Sequence, residues 1–174
     1  MILGLSVATF TLVHVLISLV GIGAGLVALV AMIAGKDLGG WTATFLATTV
    51  ATSATGFLFH SKAIGPPHIV GAISLVVLLV ALVALYGRHL AGRWRLAYVV
   101  TAVLALYFNC FVGVVQAFQK IAFLNALAPK GTEPPFAIAQ GLLLVAAIAA
   151  GWLAVRNFHP AERGSGAAIR PATV

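Results

Sequence analysis

The sequence predicts an all-α integral membrane protein of five transmembrane helices, the first four an antiparallel bundle, and three observations predict it. Apolar residues make up 62% of the chain and charged residues only 7%, against about a quarter charged in a soluble domain, so no water-facing surface can be assembled. Five apolar runs approach the roughly 20 residues that a helix needs to cross hydrocarbon. The helix breakers fall between these runs: Gly35, Gly39-Gly40, Gly65-Pro66-Pro67, Gly87, Gly92, and Pro129 through Pro135. In lipid every backbone polar group must be satisfied within its own segment, which leaves helices as the open-chain solution.

In chain order, the predicted helices cover residues 7–34, 41–59, 68–86, 96–118 and 136–155, within one transmembrane domain, 1–159. The first lacks a basic segment before it and runs past the length of a signal-peptide core, so it reads as a retained span. The third starts at Pro67-His68, where proline suits a first turn whose N–H has no partner. The fourth overruns Phe118 into an amphipathic turn or two at the membrane interface. The fifth packs outside the bundle. Residues 160–174 form a polar, disordered tail.

Charge sets the expected orientation. Lys36, Arg88, Arg93, Arg95, Arg156, Arg163 and Arg170 collect on one side, and Lys62, Lys120 and Lys130 on the other. The richer side is cytoplasmic by the positive-inside rule, which puts the N-terminus in the periplasm, the C-terminus in the cytoplasm and the chain in a bacterial inner membrane. Trp41, Trp94 and Trp152 sit near the cytoplasmic helix ends as interfacial anchors. The net charge of +7 forms no basic stripe, so nucleic acid is no expected partner. The partners are the bilayer and, through small-residue helix faces, other membrane subunits or a second copy of the chain.

Small and polar residues mark the inward faces of membrane helices. Thr11, His14, Ser18, Gly21 and Gly25 share one face of the first helix, with Gly21 and Gly25 spaced for close packing. On the second, Thr49, Ser53, Gly56 and His60 form one face and Thr48, Thr52 and Thr55 lie beside it. Tyr98, Asn109, Gln116 and Gln119 share a face of the fourth, where a mid-membrane Asn109 calls for an interhelical hydrogen bond. With this topology His14, His60, His68, Gln116 and Gln140 gather in the outer half of the membrane.

Such a cluster suits a cofactor. Bis-imidazole ligation of haem b requires two histidines on different helices across an apolar slot, here His14 with His68 or His60, the iron being tuned by its ligands and surroundings. His14 lies about 10 Å deeper than His68, which strains that pairing. The variant is a transition metal held by His14, His60 and His68. Gln116 and Gln140 would supply hydrogen bonds and Asn109 would fix the bundle. The bland alternative leaves the histidines structural. All three acids, Asp37, Glu133 and Glu162, fall outside the spans, so no intramembrane carboxylate pair exists for a proton relay. Serines lack a base with its orienting acid, and no catalytic residue is assigned. Cys110, the one cysteine, reads as a structural thiol.

The stretch Tyr86-Gly-Arg-His-Leu-Ala-Gly-Arg-Trp-Arg95, with Tyr107-Phe-Asn-Cys-Phe111, Gln116-Ala-Phe-Gln-Lys120 and Glu133-Pro-Pro-Phe136, resembles a group of small uncharacterised multi-pass inner-membrane proteins of proteobacteria. A helical bundle with intramembrane histidines is also similar in architecture to b-type cytochromes of the cytochrome b561 kind. That likeness is architectural; it is the histidine cluster that points to a small haem b- or metal-binding redox protein with its site in the outer half of the membrane. Two readings compete with it: a non-enzymatic accessory or structural subunit, and a small-solute carrier or channel that uses the Thr-rich second helix.

Overall fold

The computed structural model describes residues 1–59 and 65–160, so His60 and the tail from residue 161 lie outside the described residues. The described chain is all-α: α1 Val7–Ile33, α2 Gly39–Gly56, α3 Pro66–Leu82, α4 Arg93–Lys120, α5 Ala122–Leu127 and α6 Pro134–Asn157. The last turn of α3 widens into a π-helical turn, Val83–Gly87. Helix ends follow local chemistry. Ser6 Oγ accepts the Thr9 N–H at 3.1 Å and caps α1. At the other end Gly35, with φ +70°, turns left-handed, and the Lys36 N–H returns to Ala31 O at 2.8 Å, which satisfies a terminal carbonyl.

Four helices are long and apolar enough to cross a membrane: α1, α3 with its π turn, α4 and α6. The 18 residues of α2 include six threonines, one serine and three glycines, which keeps its hydropathy below theirs. After Phe118 the chain continues as helix to Lys120 and then as the short α5. It is set off from α4 by the extended Ile121 (φ −90°, ψ 115°), and the Asn125 side-chain amide ties it back to Phe118 O at 3.2 Å.

The first four long helices close a ring, each touching the next and α4 returning to α1. Gly25 meets Phe45, Gly21 meets Thr48 and Thr49, Ser18 meets Thr52, and His14 meets Thr55. The close packing read from Gly21 and Gly25 is therefore spent inside the chain. A methyl group added at Gly25 would stand 2.7 Å from both Leu106 Cδ1 and Phe45 Cδ2. Around it Ala24, Phe45, Leu46, Leu78, Val99, Ala102 and Ala105 form a dry core.

Helix α6 lies against α4 and α1, with its membrane-length segment 6% buried. Arg95 Nη1 clamps its end, donating to Val155 O at 2.9 Å and Phe158 O at 2.6 Å. The Asn157 amide donates to Ile33 O at 2.8 Å. The outward faces carry Leu12, Leu16, Val76, Leu79, Leu142, Val145 and Ile148. A continuous apolar exterior of this kind suits lipid and not water. Arg156 stacks over Trp152 at 4.5 Å, and Arg88 over Trp94 at 5.3 Å.

Candidate functional site

At the end of the ring opposite the dry core, α1 to α4 enclose a cavity of about 490 Å³. Its polar lining comes from the inward faces. Helix α1 gives Thr11, His14 and Ser18; α2 gives Thr49, Thr52 and Ser53; α3 gives His68 and Ser74; α4 gives Asn109, Gln116 and Lys120. Val15, Leu19, Ile22, Phe57, Phe59, Phe108 and Val112 complete the walls. No Asp or Glu is among the described lining residues. From Asn109 to Lys120 the cavity follows eleven residues of α4, about 16 Å at the helical rise.

Short side chains keep this space open. Ser18 Oγ donates to His14 O at 2.9 Å, and Thr55 Oγ1 to Ala51 O at 2.7 Å, so these hydroxyls fold back on their own helices. Ser53 bridges to Ser74 at 3.2 Å, linking α2 to α3.

The two histidines that line the cavity are in different hydrogen-bonding states. His14 Nδ1 lies 2.8 Å from Thr55 Oγ1. The single hydroxyl hydrogen of Thr55 is committed to Ala51 O, so the hydroxyl accepts and His14 Nδ1 carries the proton. A neutral imidazole has one donor and one acceptor; His14 thus presents the lone pair of Nε2. Phe59 packs edge-on against its ring at 5.1 Å. His68 is reversed. The Gly65 N–H donates to His68 Nδ1 at 3.3 Å, which uses that lone pair and leaves the proton on Nε2 in the neutral ring.

Asn109 does not make the interhelical hydrogen bond expected of it. It is 9% exposed, and its Nδ2 is buried without a partner. Thr49, 1% exposed, has an unpartnered hydroxyl. Leaving a buried polar group unsatisfied costs about 1–3 kcal/mol, so both atoms mark the cavity floor as unusual. A methyl group placed on Gly21 would stand 3.0 Å from Thr48 Oγ1, 3.1 Å from Asn109 Nδ2 and 3.3 Å from Thr49 Oγ1. Three polar atoms therefore converge over Gly21, where an added side chain would have to displace them by a few tenths of an ångström.

Of the sequence-predicted site residues, His14, His68, Asn109 and Gln116 line one cavity. Gln140 is placed elsewhere: it lies between α6 and α4, donates to Phe111 O at 3.2 Å and has a buried Oε1 without partner. His60 lies outside the described residues, which leaves the three-histidine arrangement of His14, His60 and His68 undescribed. Among the described residues no three His, Cys, Asp or Glu side chains come within reach of one metal ion. Tyr98, from the same predicted face as Asn109, is buried in the dry core against Phe158. Sequence reading put Thr49 on an inward face without assigning it to the site, and left Lys120 unassigned. Their signals were the spacing of Thr49 with Ser53 and Gly56 on α2, and of Lys120 with Gln116 on α4. Compared with known proteins, the chain matches no family profile, no curated protein and no solved structure.

Proposed function

We propose that this chain is a five-helix protein of the bacterial inner membrane that binds a small cofactor or lipophilic ligand in the outer half of the bilayer. Helix α2 is the fifth span. Its hydroxyls turn toward α1, α3 and the cavity, so its modest hydropathy is no obstacle in a helix sheltered by neighbours. Successive helices run antiparallel. Lys36, Arg88, Arg93, Arg95 and Arg156 mark the cytoplasmic end, which leaves Lys120 and the cavity mouth on the periplasmic side.

The observation that carries the ligand reading is the 490 Å³ cavity with the unpartnered Asn109 amide at its floor. That volume lies within the roughly 300–1,000 Å³ of small-molecule sites. Of the cofactors, haem b or a transition metal would rest on His14, whose Nε2 lone pair faces no competing donor among the described residues. The bis-imidazole arrangement has less support, because His68 Nδ1 is engaged as an acceptor. A carrier or channel along α2 would need a path past Phe45, Leu46 and Leu106, all buried.

The test is an absorption spectrum of the purified protein, oxidised and then dithionite-reduced, with metal analysis and an organic extraction of the same sample. A Soret band or a stoichiometric metal that is lost in His14→Ala identifies the cofactor. A flat spectrum with neither metal nor extracted ligand favours the accessory-subunit reading.

A further inference from the structure

We propose that the occupant of this cavity is a lipophilic quinol, a six-membered ring with para oxygens on an apolar tail, held between His14 and Asn109. The inference rests on the reading of the cavity as a ligand site and names the class of its ligand. Four observations lead to it. Without a carboxylate in the described lining, and with Lys120 at the rim, the cavity disfavours a cation. The side walls carry Phe57, Phe59 and Phe108, flat partners for a ring. His14 offers an acceptor lone pair on Nε2, suited to an O–H. The floor offers the Asn109 amide, unsatisfied and nine-tenths buried.

Asn109 Nδ2 lies on the Gly21 side and is hydrogen-bonded to neither threonine hydroxyl. A half-turn of the amide exchanges Nδ2 and Oδ1 without changing its shape, and a ligand with an acceptor oxygen selects the orientation that turns the NH₂ toward the cavity. The floor is then a donor and the wall at His14 an acceptor. The Gly21 level and His14 are seven residues apart on α1, about 10 Å along the axis. The para oxygens of one ring, each extended by one hydrogen bond, bridge an interval of that size. A quinol donates one O–H to His14 Nε2 and accepts from Asn109 at its other oxygen. The oxidised quinone has no hydrogen for His14 and binds less tightly. The apolar tail leaves through the mouth toward lipid.

Full-length protein in lipid nanodiscs is titrated calorimetrically with three probes: a decyl-substituted benzoquinol, the matching quinone, and the dimethyl ether of the quinol. The expected result is binding of the quinol, with the ether weaker by about tenfold or more, since one lost hydrogen bond to a buried group is worth about 1.4 kcal/mol. His14→Phe weakens quinol about tenfold and leaves the ether unchanged, whereas Asn109→Leu removes a donor that both probes accept from and weakens quinol and ether alike by about tenfold. Equal affinity for quinol and ether on the unaltered protein overturns the proposal without any variant. An unchanged affinity in a folded Asn109→Leu protein also overturns it, because the amide then serves a buried water. Haem or metal in the cavity overturns the quinol and keeps the cofactor reading. No quinol binding from a protein that is also free of haem, metal and extractable ligand overturns both.

Discussion

The same four helices are packed differently at their two ends. Around Gly25 the ring is closed: the nearest side-chain atoms would lie 2.7 Å from an added methyl group, and Leu78, Ala84, Val99 and Ala105 are fully buried. Around Gly56 and Gly113 it is open, with the nearest such atoms at 3.9 Å and 3.5 Å. Large side chains reach inward at the closed end, where Phe45, Leu46 and Tyr98 fill the space left by Ala24, Ala28 and Ala102. At the open end the inward residues are Ser18, Thr52, Ser53, Gly56, Gly71 and Gly113, too short to meet across the ring. The contrast shows that the cavity arises from short inward side chains, and that rigidity is supplied elsewhere. A dry end holds the helices in register while the polar end stays available for a ligand.

The largest expected effect tests the closed end. Gly25→Leu drives a side chain into Phe45 and Leu106 and costs about 3 kcal/mol or more, read as a lowered thermal midpoint in a fixed detergent. Gly113→Ala meets only Ile22 at ordinary contact distance; it is neutral or stabilising by up to about 1 kcal/mol. Equal losses at the two glycines would mean that the ends are packed alike.

The next effect has the opposite sign. Asn109→Leu removes a buried amide that has no partner and fills nearly the same volume. It raises the stability of the ligand-free protein by about 1 kcal/mol, and Thr49→Val acts in the same direction for its hydroxyl. Natural sites retain such groups at the expense of stability. A fall in the thermal midpoint for both variants would place hidden hydrogen bonds at the floor and erase the distinction between the ends.

A third measurement sharpens the chemistry of the open end. Nitrogen-15 spectra of ring-labelled protein should give His14 a protonated Nδ1 and an unprotonated Nε2. Thr55→Val removes the acceptor, releases the tautomer and costs about 1 kcal/mol. A protonated Nε2 in the unaltered protein would remove the acceptor role assigned to His14.

Much of this contrast was legible in the sequence, and the rest was not for identifiable reasons. The period of the small and polar residues placed His14, Ser18 and Gly21 on one face, and that face does meet Thr48, Thr52 and Thr55. The same period put Tyr98 with Asn109, yet the eleven residues between them carry Tyr98 into the closed end. A shared face fixes direction and leaves depth open. Gln140 was drawn to the site by depth alone, but its helix packs outside the ring against Phe111. Hydrogen-bond state was not legible at all. That Asn109 would lack a partner, or that Thr55 would fix the proton of His14, depends on distances of a few tenths of an ångström across helices. The Thr stripe of the second helix read as a hydrophilic path for a solute; in the structure hydroxyls of α2 are divided between α1, its own backbone and α3.

The smallest effect belongs to the turn that leads into α6, outside the ring. Partial desolvation pushes the Glu133 carboxyl up, but hydrogen bonds from backbone N–H groups, including those of Thr132 and Lys130, outweigh it and hold the carboxyl below its usual 4.5. A carboxyl depressed on folding contributes stability above its unfolded value and loses it as pH falls through the folded one. The thermal midpoint should therefore decline slightly as the solution is acidified below pH 4.5, and Glu133→Gln should flatten that decline without altering the midpoint of the closed end near neutrality. Glu133 is exposed to water at a turn, so the effect remains local and small. A steep acid loss that survives Glu133→Gln would assign the decline to a group other than Glu133.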